Sequence, residues 1–192
     1  MRLKTNTISN SSMSDLNEIK RVLAIDPGTR ALGYASFEDR YLEDYGVKDI
    51  GSVHTAVDTF DAVDIVISRL IQQKAPGVLA IEKNQFSQIQ QNLRLTLAIG
   101  KIKAVGKRHG LLVLEYSPRT IRRVICQDGN ASKRELARTL SVKYPELRAY
   151  LESNRRWREK YHQNAFDAIA CGLTHIAKDG RTEFGSVEDI SI

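Results

Sequence analysis

The tetrapeptide Val-Leu-Ala-Ile occurs twice, at Val22–Ile25 and Val78–Ile81, and each copy runs directly into an acid, Asp26 and Glu82. A short apolar run with β-branched residues, stopped by a polar one, has the signature of a buried strand. Strands of that kind belong to sheets covered by helices, and in open α/β sheets ligands gather beyond the carboxyl ends. The two acids therefore stand where chemistry is expected, each held by a rigid strand behind it.

The rest of the chain supplies the sheet and its helices. Arg21–Asp26 ends at Pro27-Gly28, and Ala31–Glu38 and Tyr41–Ile50 follow with strand-like content and short links, a three-stranded meander. Thr59–Gln73 changes period, with Phe60, Val63, Ile67, Leu70 and Ile71 on one helical stripe, and Ala75-Pro76-Gly77 stops it. Val78–Ile81 leads to Glu82, a helix is expected over Gln88–Arg108, and Leu111–Tyr116 is a strand closed by Ser117-Pro118. From there the pattern is helical to about Lys178, interrupted by the turn-like Gln127–Asn130. Strands joined by short turns pair antiparallel, whereas strands returning through helices pair parallel. The expected fold is α/β: a mixed five-stranded sheet, three antiparallel strands then parallel ones, flanked by helices in the ribonuclease H-like arrangement. Its domain spans 20–178. Residues 1–19 and 179–192 lack apolar periodicity and are expected to be disordered tails.

Composition narrows the class. At 192 residues the chain suits one domain, and no apolar run approaches the roughly 20 residues a bilayer span needs. Cys126 and Cys171 lie far apart without metal-ligand spacing, which argues against a disulfide scaffold or zinc site and for a reducing compartment. Charge is uneven: residues 94–160 carry 17 Lys/Arg against 6 Asp/Glu, while the whole chain carries +6. A basic half of this size is either a solvated helical surface or a face for a polyanion, and phosphate backbones are the commonest polyanion.

A third acid, Asp167, lies in Asn164–Ala170, expected as the start of an amphipathic helix with Asn164 and Asp167 on one face at i, i+3. Asp-Pro-Gly is good turn chemistry in any protein, and Glu82 could be a solvated strand end. Asp167 among Ala, Phe and Ile is harder to account for, because an acid on an apolar face needs a partner. Three acids together repel without a cation. Oxygen ligands with incomplete protein coordination suit Mg²⁺, with Mn²⁺ as substitute, and two such ions about 4 Å apart promote phosphodiester hydrolysis.

These residues resemble a known family. Ile25-Asp26-Pro27-Gly28-Thr29-Arg30-Ala31-Leu32-Gly33-Tyr34 is similar to the opening motif of RuvC-type Holliday junction resolvases, and Ala80-Ile81-Glu82 resembles their second acidic motif. Tyr116-Ser117-Pro118 with Arg122-Arg123, then Gly129–Lys133, resembles the third block, and Asp167–Ala170 with Leu173–His175 resembles the last helix. Four blocks in order are a far more specific signal than one.

The resemblance implies a metal-dependent crossover junction endodeoxyribonuclease of recombination and repair, with Asp26, Glu82 and Asp167 as metal-binding carboxylates and Lys133 offsetting charge at the phosphate. It also implies a homodimer that nicks a four-way DNA junction symmetrically, with the Gln88–Arg108 helix at the dimer contact, where Gly100 and Ala104 would permit close approach. Arg119, Arg122, Arg123, Lys133 and Arg134 would face DNA. Branch-migration proteins are implied partners and a membrane is not; the expected location is cytoplasmic, at the nucleoid. The acid-poor stretch before Asp15 leaves an organellar address open.

Departures from the family pattern matter. Where the family commonly has a fourth acid, this chain has Asn164, and His162 is a second candidate to complete the metal site. Phe86 stands one residue off the spacing of the family's base-stacking aromatic. Tyr150–Tyr161 is longer than the family's segment, and its Arg155, Arg156 and Arg158 are candidates for backbone contact. Two other readings compete: a non-catalytic junction-binding protein with a decayed site, and an ATP-binding domain of the actin and sugar-kinase type. The second requires about twice this length and gives the basic half no purpose.

Overall fold

The computed structural model describes residues 20–50, 56–83, 93–151 and 156–180. Strands β1 (Arg21–Asp26), β2 (Ala31–Glu38) and β3 (Tyr41–Asp49) are followed by helix α1 (Ala56–Lys74), β4 (Val78–Glu82), α2 (Leu93–Arg108) and β5 (Leu112–Tyr116). Helices α3 (Pro118–Cys126), α4 (Lys133–Lys143), the short α5 (Arg148–Leu151) and the long α6 (Arg156–Lys178) complete the chain, with a 3₁₀ turn at Pro145–Leu147. The sheet order is β3-β2-β1-β4-β5. β1 pairs antiparallel with β2 and β2 with β3, while β4 lies parallel between β1 and β5. This is the expected mixed sheet.

Period-two alternation sorts the core into two layers. On β1, Leu23 and Ile25 face a layer built with Val63, Ile67 and Leu70 of α1 and Ile102 and Val105 of α2. Val22 and Ala24 face the other layer, with Ile121 of α3, Leu136 and Leu140 of α4, and Phe166, Ile169 and Leu173 of α6. On β4, Leu79 and Ile81 join the first layer, and Val78 and Ala80 the second. Continuing the alternation one residue turns both Asp26 and Glu82 toward the α6 side. The parallel register Val22↔Val78 to Ile25↔Ile81 sets those two strand ends side by side.

α6 can serve this site because it lies unusually close to the sheet. A Cβ on Gly33 of β2 would sit 1.9 Å from the Asn164 carbonyl oxygen, and one on Gly172 would sit 2.2 Å from the Phe37 ring. Both distances are far inside contact, so these two glycines set the helix-to-sheet spacing. Sequence reading placed the start of this helix near Asn164, but it begins at Arg156, so His162 lies within the helix rather than before it. The run Arg155–Lys160 is too charged to show an apolar stripe, which is why the first turns escaped the periodicity. Among the described residues no helix is long and apolar enough to cross a membrane.

Candidate active site

Asp26 and Glu82 end β1 and β4 on the face that α6 covers, and Asp167 approaches from that helix, only 3% exposed. Burial, then the charges of Glu82 and Asp167, push the Asp26 carboxyl well above the ordinary carboxylate range. Glu82 is pushed up to about 8, first by burial and then by the Asp167 charge, with Lys133 and Arg122 acting in the opposite direction. Such raised values mark acids crowded in a poorly solvated space, a pattern typical of functional carboxylates.

The basic side of the site is built by capping. Ser117 caps α3, its hydroxyl accepting from the Thr120 amide at 3.1 Å, with Pro118 in the first turn. Ser132 caps α4 in a reciprocal box: its Oγ accepts from the Glu135 amide at 3.2 Å, and Glu135 Oε2 accepts from the Ser132 amide at 2.6 Å. That box fixes Lys133 as the first helical residue, and its Nζ donates to Asp167 Oδ2 at 2.6 Å. Burial works to lower the Lys133 ammonium, but Asp167, Asp26 and Glu82 together hold it above its ordinary value. Arg122 is half-buried at the same edge, while Arg119, Arg123 and Arg134 are exposed.

The structure brings Asp26, Glu82, Asp167 and Lys133 together. Asn164 lies beside them, but its amide donates to the Ala31 carbonyl at 3.3 Å and ties α6 to the start of β2. His162 is five residues from Asp167 and so occupies another helix face; its ring lies 4.3 Å from that of Tyr150 rather than among the acids. Arg156 and Arg158 fall in the first turn of α6, whereas Phe86 and Arg155 lie outside the described residues. Sequence reading missed Gln163, whose Nε2 donates to Asp167 Oδ1 at 2.9 Å; the i, i+4 spacing was the available signal. It named Tyr116 and His175 as motif residues but not their contact: the buried His175 has its Nδ1 2.9 Å from the Tyr116 hydroxyl and ties the end of β5 to α6.

The donor set, three carboxylates and an adjacent lysine, has the chemistry of a site for a hard divalent cation. As they stand, no three Asp, Glu, His or Cys side chains among the described residues close on one point tightly enough to hold an ion. Both Asp167 oxygens are engaged, one by Lys133 and one by Gln163. The Lys133 side chain is 56% exposed, so it can swing away and release one of them.

The sequence model for "Crossover junction endodeoxyribonuclease RuvC" matches residues 22–175. The crossover junction endodeoxyribonuclease RuvC of Akkermansia muciniphila is 32% identical over 162 residues, covering 81% of this chain and 90% of its own. Thermus thermophilus RuvC, solved in complex with Holliday junction substrate, has the same fold with a TM-score of 0.66 at 20% identity, covering 85% of this chain and 98% of that one. The yeast mitochondrial Holliday junction resolvase gives a TM-score of 0.63 at 16% identity, covering 88% and 82%.

Proposed function

The chain belongs to the RuvC family of crossover junction endodeoxyribonucleases, and from that membership we propose how its own residues cut DNA. The protein is a nuclease that resolves Holliday junctions, and its family is dependent on divalent metal. Asp26, Glu82 and Asp167 are the residues that would hold the cation, with Mg²⁺ favoured by the all-oxygen donor set and Mn²⁺ as substitute. When bound, one or two such ions would activate water and stabilise the leaving oxygen of the phosphodiester.

The remaining work falls to the chain itself. The two strand ends fix the backbones of Asp26 and Glu82 and α6 fixes that of Asp167, so only side-chain adjustment is left for the carboxylates to close on a cation. Lys133, released from Asp167, offsets charge on the phosphate, and Arg122 adds a second positive group behind Glu82. Arg119, Arg123 and Arg134 present exposed charge along the same edge and suit the DNA backbone. The observation that carries this reading is the convergence of three acids and one lysine from β1, β4, α6 and α4.

A homodimer is part of the same reading. On α2, Leu93, Gly100 and Ala104 are exposed on one stripe, and a Cβ added at Gly100 would meet nothing. A second copy packed there would place two sites on one junction and permit paired nicks. Cleavage of a mobile four-way junction, with linear duplex as control and with Mg²⁺ or EDTA, tests the function. Paired, metal-dependent nicks on the junction alone are the expected result; tight binding without nicking would favour the decayed, non-catalytic alternative.

A further inference from the structure

Two adjoining hollows run along α6 away from the acids. One, of about 430 Å³, is lined by Lys133, Arg134, Tyr150, His162 and Gln163 among others. The next, of about 210 Å³, shares Tyr150, His162 and Phe166 with it and reaches Tyr45 on β3. The groove thus begins at the two residues that grip Asp167, Lys133 and Gln163, and ends among rings. At its middle the Tyr150 and His162 rings lie 4.3 Å apart, tilted by 45°, and Tyr45 meets Tyr150 edge-on at 6.4 Å.

We propose that this groove receives one nucleotide of the cleaved strand, the neighbour of the scissile phosphate, with its base against Tyr150 and His162 and its phosphate toward Lys133 and Arg134. The inference rests on the cleavage site proposed above. Charge and shape select the occupant. The basic end suits a phosphate, and the aromatic end offers the rings of Tyr150 and His162, against which any base can stack. The volumes suit a single nucleotide-sized group rather than a helix or strand. Continuity with the acids decides the position: a strand whose phosphate lies at Lys133 and Asp167 has its next nucleotide at the mouth of the groove. Tyr150 and His162 are therefore substrate-positioning residues, distinct from the metal-binding acids.

The test places 2-aminopurine, one position at a time, on either side of the nick mapped with the wild-type protein. Fluorescence is read on complexes formed with Asp26→Asn, which holds the junction uncut. One flanking position should show quenching, lost with Asp26→Asn/Tyr150→Ala and retained with Asp26→Asn/Tyr150→Phe, which keeps the ring. In the cutting background, Tyr150→Ala and His162→Ala should each slow cleavage roughly tenfold while changing junction affinity little. Wild-type nicking with no responsive position, or with a response unaltered by Tyr150→Ala, would overturn the groove and leave the cleavage site standing. A wild-type protein that nicks no junction in Mg²⁺ or Mn²⁺ would overturn both.

Discussion

Lys133 Nζ donates to Asp167 Oδ2 at 2.6 Å, so the lysine and the acid that approach from two different helices form an ion pair at the point where a divalent cation is proposed to sit. A cation held by Asp167 must displace that ammonium, which is then free for the phosphate. Lys133 thus has opposite effects on metal affinity and on catalysis. Lys133→Met should bind Mn²⁺ several-fold more tightly by calorimetry, because a competing positive charge is gone. Its single-turnover cleavage should fall by about a hundredfold, through loss of charge stabilisation at the phosphate. Weaker metal binding together with the lower rate would contradict a competing role.

Glu82 makes stability depend on pH with an unusual sign. Its carboxyl is raised from 4.5 to about 8 in the fold, so the folded protein holds this proton more tightly than the unfolded chain does. The stabilisation is fully present below the unfolded value and is lost as pH rises through about 8. In EDTA, Glu82→Gln should therefore lie close to wild type near pH 5 and exceed it by on the order of 4 kcal/mol at pH 9 in urea titrations. Equal stability at both pH values would show that Glu82 is not held in a poorly solvated, crowded position.

Asn164→Asp tests what the neutral amide contributes. The substitution loses the donor to the Ala31 carbonyl and adds a fourth carboxyl beside three others. Without metal the variant should be less stable by roughly 1–2 kcal/mol. With Mn²⁺ it should bind more tightly and recover that stability by mass action. A variant that is equally stable without metal would mean that the link from α6 to the start of β2 carries no weight.

The closeness of α6 to the sheet is a separate, purely steric claim. Gly33→Ala brings a methyl group against the Asn164 carbonyl, and Gly172→Ala brings one against Phe37. Each should cost about 2 kcal/mol or more, since neither backbone nor buried ring can yield easily. Gly77→Ala, where an added Cβ meets nothing and which lies outside the proposed dimer contact, is the control and should leave thermal stability unchanged or slightly raised.

Much of this site was legible without coordinates, for a physical reason. Asp26 and Glu82 are fixed by strands whose alternation is local, so their shared face follows from counting residues. Asp167 announced itself as an acid in an apolar helix. What escaped were contacts between residues distant in sequence: Asn164 on Ala31, Tyr116 on His175, and His162 on Tyr150. No local pattern encodes such pairs. The early start of α6 was hidden by a charged segment, and His162 was misplaced with it.

The central claim is that Asp26, Glu82 and Asp167 together hold the metal on which cleavage depends. Single-turnover cleavage of a four-way junction across a Mg²⁺ titration, for wild type, Asp26→Asn, Glu82→Gln and Asp167→Asn, tests it most directly when paired with junction affinity in EDTA. Each variant should lose cleavage by at least a thousandfold at every Mg²⁺ concentration while binding the junction as tightly as wild type. Full-rate cleavage by any one of the three would contradict the claim.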